Sequence, residues 1–181
     1  MVPTLAATLG VKGHRPTVPT RDCKDLLYVF AVVNLISAAV HTNTLESPQN
    51  ATKRTGQSKT RRLQEAFAAH LRHVGQVYPR VRYPRVVLVI DNAPWHRGQP
   101  ITAALRDNPH LEFQRLPSYS PRLNPIERFW KKLRRRATHN RLFDTLADLK
   151  ASLRASLCYF QTMRPKVKSI LEGRPKKKTA K

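Results

Sequence analysis

Apolar and polar positions fall into stretches of two periods along this chain. The first is LLYVFAVV, Leu26–Val33, an apolar, aromatic and β-branched run that reads as a buried strand. Asn34 suggests a turn, with residues 37–42 as the second strand of a hairpin and residues 44–58 as a polar connector. The next stretch changes period. Leu63, Phe67, Leu71 and Val74 are spaced four, four and three apart, which predicts an amphipathic helix with a basic outer face.

VVLVI follows, closed by Asp91. This is the clearest strand in the sequence, and its apolar character on both faces predicts a central strand covered on both sides. Pro100 suits the start of a short helix that stops before Asn108-Pro109. Residues 111–116 read as another strand. PSYSPRLNP reads as an extended loop. A helix is expected over residues 125–137, with Ile126, Phe129, Trp130, Leu133 and Ala137 on its apolar face. Another is expected over about 144–160, burying Leu146, Leu149, Leu153 and Leu157. Strands followed by alternating strand and helix predict one α/β domain with a mixed sheet over residues 1–165, and residues 166–181 read as a basic, disordered tail.

Charge changes this picture. The 181 residues hold 34 Lys plus Arg against 11 Asp plus Glu, a net +23 that calls for a polyanionic partner, most simply nucleic acid. Cys23 and Cys158 are too few and too far apart for a disulfide framework or a zinc site, and fit a reducing compartment. The start lacks the pattern of a signal peptide, and the longest apolar stretch, residues 26–40, is shorter than the ~20 residues that span a bilayer. A cytoplasmic, nucleoid-associated protein without a membrane partner is therefore expected. No GxxxxGK loop is present to cradle phosphates.

So few acids make each one informative. Asp91 ends an apolar strand and is followed by Asn92-Ala93-Pro94-Trp95-His96. A carboxylate there needs hydrogen bonds, a charged partner or a metal; it either shapes the loop through backbone N–H groups or carries chemistry. Glu127, in Asn124-Pro125-Ile126-Glu127, has an equally plain structural reading. Asn at N-cap, Pro at N1 and Glu at N3 make a capping-box arrangement. The context favours chemistry. The helix that Glu127 opens also carries Arg128, Lys131, Lys132, Arg134, Arg135 and Arg136. Carboxylates that hold Mg²⁺ and cations that hold a polyanion are the two requirements of phosphodiester chemistry. His70 and His73 lie on an amphipathic helix without a nearby acid or Cys, so a metal role is not expected of them. Trp130 reads as core, and Ser118, Tyr119 and Ser120 as a loop that positions Glu127.

DNAPWH after an apolar strand, then SPRLNPIERFW with 35 residues between Asp91 and Glu127, resembles the catalytic domain of DDE-superfamily transposases, in particular their mariner-related bacterial insertion-sequence branch. The resemblance runs from the Leu26 strand to the region of Cys158. It implies a ribonuclease-H-like mixed sheet flanked by helices, and cleavage and strand transfer at transposon ends with Mg²⁺ or Mn²⁺. It makes Asp91 and Glu127 the second and third acids of the triad and the metal ligands. Asn92, His96 and Asn124 would support them, and the six basic residues of the Glu127 helix would contact DNA. The implied partners are DNA, as transposon ends and target, and the resemblance allows a homodimer.

The family's first aspartate lies on the first strand of the sheet, upstream of the segment that GHRPTVPT resembles. Here the chain starts past that point, and Asp22 and Asp25 are poorly placed to replace it. A shortened domain lacking its first strand is expected, with little or no strand-transfer activity by itself. Two rival readings stay open: a non-catalytic nucleic-acid-binding protein that keeps the fold, and an unrelated ribosomal-type RNA binder.

Overall fold

A computed structural model describes residues 25–47, 56–118, 120 and 123–173. They belong to two compact units: residues 25–32 with 41–124, and residues 33–40 with 125–173.

In the first unit, β1 (Leu26–Val33) pairs with β2 (Val40–Ser47), and β3 (Val86–Ile90) pairs with β4 (Leu111–Arg115). The second pair is parallel, in the register Val86 to Leu111 through Ile90 to Arg115. Its crossover contains a 3-10 turn (Pro94–His96) and helix α2 (Gln99–Asp107). Helix α1 (Lys59–Val77) starts at Ser58, whose side chain accepts the N–H of Arg61. The periodic residues Leu63, Phe67, Leu71 and Val74 are all buried, as their spacing predicts. They share one core with Phe30 of β1, Leu88 of β3, Ile101 and Ala104 of α2, and Leu111 of β4. Gly75 lets α1 approach the end of α2, for a Cβ there would meet Asn108 Oδ1 at 1.9 Å.

The second unit is helical apart from the hairpin tip. Helix α3 (Ile126–Ala137), α4 (Leu146–Thr162) and α5 (Arg164–Glu172) pack on one another. Phe129, Leu133 and Ala137 of α3 are fully buried, and the Phe129 ring meets Phe160 of α4 edge-on at 5.3 Å between centroids. Leu149, Leu153 and Leu157 are buried as expected, while Leu146 is only half-buried. Thr145 and Asp148 form a reciprocal capping box at the start of α4.

Several sequence expectations are corrected. The second strand starts at Val40, not residue 37. Asn34 Oδ1 accepts the N–H groups of Ile36 and Ser37, and Ala38 has φ 54°, so residues 34–39 are consumed by the turn. The strand then runs to Ser47, into the stretch expected to be connector. β3 is not covered on both sides among the described residues. Val87 and Val89 are 50% and 41% exposed, because alternation turns them away from the core that Leu88 enters. The capping box expected at Glu127 is absent. Pro125 adopts helical φ/ψ and takes the cap position itself, with no side-chain cap bond. Finally, α5 carries the folded chain to Glu172, beyond the expected boundary at residue 165. Pro165 in its first turn and Val167, Ile170 and Leu171 on its buried face explain it. The basic run at residues 174–181, Cys23, Asp22 and the GHRPTVPT segment lie outside the described residues.

Candidate functional site

Parallel pairing puts the ends of β3 and β4 side by side, and Asp91 leaves the sheet there. Leu116 N–H extends the ladder to Ile90 O at 2.9 Å. Asn92 then ties the two strand ends together, its Nδ2 donating to Leu116 O at 2.8 Å. Asp91 Oδ1 accepts the Ala93 N–H at 3.0 Å and stands 2.9 Å from His96 Nδ1. The second carboxylate oxygen has no hydrogen bond among the described residues, and the side chain is 54% exposed. Asp91 is thus held by one oxygen and presents the other.

His96 is the support. Its ring lies 4.4 Å from Phe67 between centroids, and its side chain is 14% exposed. Burial pulls its pKa below the usual histidine value, the Arg115 charge adds to this, and the hydrogen bonds and charge of Asp91 oppose it. The imidazole is therefore neutral at pH 7, and Nδ1–H is the tautomer that donates to Asp91. Trp95 meets this ring edge-on at 6.1 Å and packs against the core.

Two arginines that the sequence did not single out stiffen the same corner. Arg115 Nη2 donates to His96 O at 3.0 Å and Arg97 Nη2 to Asn92 O at 3.3 Å. The pairing of Ile90 with Arg115 is the signal for the first, but it needs the register and not the sequence alone. Gln64 of α1 reaches Arg97 O at 2.8 Å, and Gly98 makes room for it. Gly98 has φ 104°, and a Cβ would lie 2.8 Å from Gln64 Nε2.

Glu127 belongs to the second unit, in the first turn of α3, where it is exposed. Asn124, half-buried, closes the first unit just before it. Of the six basic residues on α3, two have partners among the described residues. Arg128 Nη1 donates to Leu171 O at the end of α5, beside Gly173 with φ 75°, and so neutralises an orphan carbonyl of that helix. Arg136 stacks on Tyr159 at 3.8 Å. Lys131, Lys132, Arg134 and Arg135 are exposed and form no ion pair among the described residues.

Among the described residues, no three His, Cys, Asp or Glu side chains group as metal ligands. His70 is buried, with Nδ1 3.2 Å from Asn43 Oδ1. The donor set at Asp91 still suits a hard cation, since Mg²⁺ usually takes one or two carboxylates and completes its shell with water and substrate phosphate. No described helix is long and apolar enough to cross a membrane.

Comparisons with known proteins bear on the family and the fold. Over 85 residues the chain is 32% identical to the uncharacterized protein y4pE/y4sA of Sinorhizobium fredii, covering 47% of this chain and 58% of that one. Over 152 residues it is 24% identical to the uncharacterized 39 kDa protein of insertion element IS630 from Shigella sonnei, covering 84% of this chain and 40% of that one. The chain thus spans about half the length of the relatives it matches. Its fold matches the Mos1 mariner paired-end complex with Mn at a TM-score of 0.58 and 18% identity, over 94% of this chain and 50% of that one. The Mos1 transposase paired-end complex with the left transposon end gives 0.57 and 19%, over 94% and 49%. Residues 5–150 match the family described as DDE superfamily endonuclease, and the chain belongs to that family.

Proposed function

We propose that this chain is the catalytic part of a transposase, with Asp91 and Glu127 as the second and third acids of a metal-dependent phosphodiester site. The observation that carries the reading is Asp91 itself: a carboxylate at a strand end, held by one oxygen and presenting the other. The absent cap bond supports the role of Glu127, whose carboxylate is not engaged in holding the first turn of α3. Asp91 and Glu127 would hold Mg²⁺ or Mn²⁺. When bound, the metal supplies activation of the attacking oxygen and charge stabilisation at the leaving one. His96 and Asn92 fix the orientation of Asp91, and Asn124 precedes the turn that presents Glu127. Lys131, Lys132, Arg134 and Arg135 hold the DNA backbone without reading its sequence. The DNA is transposon end and target, acted on by a homodimer.

The separate strand pairs support a ribonuclease-H-like sheet that takes another strand along the edge of β3 that is unpaired among the described residues. That strand would carry the first acid. The 181 residues alone are therefore expected to show little or no strand transfer, and a polypeptide with an aspartate-bearing strand added before Leu26 is expected to join a pre-cleaved transposon end with Mg²⁺ or Mn²⁺. In that polypeptide, Asp91→Ala and Glu127→Ala abolish joining while DNA affinity persists. Joining that survives either substitution would refute the assignment. Robust joining by the 181 residues alone would refute the need for the added strand. The exposed cations of α3 favour a second reading, a transposase-derived DNA binder without catalysis, under which neither acid matters to any reaction. The family match sets aside an unrelated ribosomal-type RNA binder.

A further inference from the structure

A cavity of about 450 Å³ lies wholly within the first unit, lined by residues of the 3-10 turn, α2 and β4, among them His96, the partner of Asp91. Its floor is apolar: Ile101 is buried, and Leu105 and Phe113 are half-buried. Its rim is polar and exposed, formed by Arg97, Thr102 and Arg115. Neither arginine has a carboxylate partner among the described residues. Each spends one nitrogen on a backbone carbonyl, Arg97 on Asn92 O and Arg115 on His96 O, and Arg115 also lies over the Phe113 ring at 5.7 Å, which fixes the guanidinium and leaves further N–H donors. His96 forms one wall, and its Nδ1 contact with Asp91 Oδ1 ties the cavity to the carboxylate.

An aromatic and aliphatic floor beneath two uncompensated cations is complementary to a flat ring that carries an anion. The size lies toward the lower end of the ~300–1,000 Å³ usual for small-molecule sites. That is room for about one base with its phosphate. We propose that the cavity takes a single nucleotide unit of unpaired DNA, the base against the apolar lining of Ile101, Leu105 and Phe113 and the phosphate at the free donors of Arg97 and Arg115, with His96 between it and Asp91. The proposal rests on the reading of the chain as a DNA-processing protein, and it specifies the form of DNA that reaches Asp91.

The test is direct binding to the full 181-residue chain, at fixed ionic strength and without divalent metal, of dAMP, deoxyribose 5-phosphate and inorganic phosphate. The base is expected to make dAMP bind at least about fivefold tighter than the sugar phosphate, the lower end of what base stacking contributes. Thr102→Glu puts an anion on the rim at an exposed helical position and is expected to weaken dAMP about tenfold. Thr102→Gln, of similar size and neutral, is expected to retain most of the affinity. Circular dichroism of both variants checks the fold. Equal affinity for dAMP and deoxyribose phosphate, or unchanged dAMP binding by Thr102→Glu, would overturn the proposal. Failure of the phosphodiester reading appears separately, as metal-dependent joining that survives Asp91→Ala.

Discussion

His70 makes stability depend on pH in a way that can be worked through. Its side chain is fully buried in α1, among Phe30 and Phe67 at 6.4 and 6.5 Å between ring centroids. Nδ1 faces Asn43, and Nε2 has no hydrogen-bond partner among the described residues. Burial, and then the charges of His73 and His41, lower its pKa from 6.5 to about 4. The folded state therefore holds the neutral ring, while the unfolded chain takes up a proton below about pH 6.5. Stability is complete above that pH and is lost as pH falls toward about 4. Between pH 8 and pH 5 the loss from this residue is about 2 kcal/mol, or roughly 4–8 °C in Tm for a chain of this size. Urea unfolding at several pH values measures it, with His70→Phe as the reference. Phenylalanine suits the apolar surroundings and does not titrate. The parent protein should lose about 2 kcal/mol more than the variant over this range. Parallel pH profiles would show that His70 is not held neutral by burial and would refute the reasoning.

Three further outcomes follow from the geometry. Gly98→Ala forces a Cβ into a conformation open only to glycine and against Gln64, so it should cost about 1–3 kcal/mol by thermal unfolding; an unchanged Tm would contradict the close approach. Phe129→Ala removes a fully buried ring and should cost about 3–5 kcal/mol by chemical denaturation, whereas a cost below about 1 kcal/mol would deny it a core role. Arg128→Ala should lower stability with little change in the salt dependence of DNA binding. Lys132→Ala should do the reverse, reducing the slope of log K against log salt by about 0.9 if it contacts one phosphate. Equal slopes for the two variants would remove the distinction between them.

What the sequence reveals depends on how local the determinant is. The buried face of α1 and the strand ending in Asp91 are written in spacing and can be read directly. The start of β2 cannot, because an asparagine side chain folding back on the turn competes with the strand that the apolar pattern suggests. Glu127 shows a sharper limit. Asn, Pro and Glu at the right offsets predict a capping box, but the backbone at Pro125 is already helical and the real box forms at Thr145 and Asp148. Asp91, Asn92 and His96 are legible as candidates because they are adjacent in sequence. Arg97 and Arg115 are not, since their value comes from strand register and from carbonyls they reach across the fold. The same holds for Arg128 and Arg136, which look like two more cations on a basic helix until Leu171 and Tyr159 are placed.

The half-uncovered β3 gives the large positive charge a second use. Val87, Val89 and a β3 edge that is unpaired among the described residues invite one copy to adhere to another, and a net +23 keeps copies apart. Salt that strips contaminating polyanion also shortens the reach of that repulsion, from ~10 Å at 0.1 M to ~3 Å at 1 M. Purification therefore passes through a narrow window: too dilute a buffer leaves cellular nucleic acid attached, and too concentrated a one brings on self-association and precipitation.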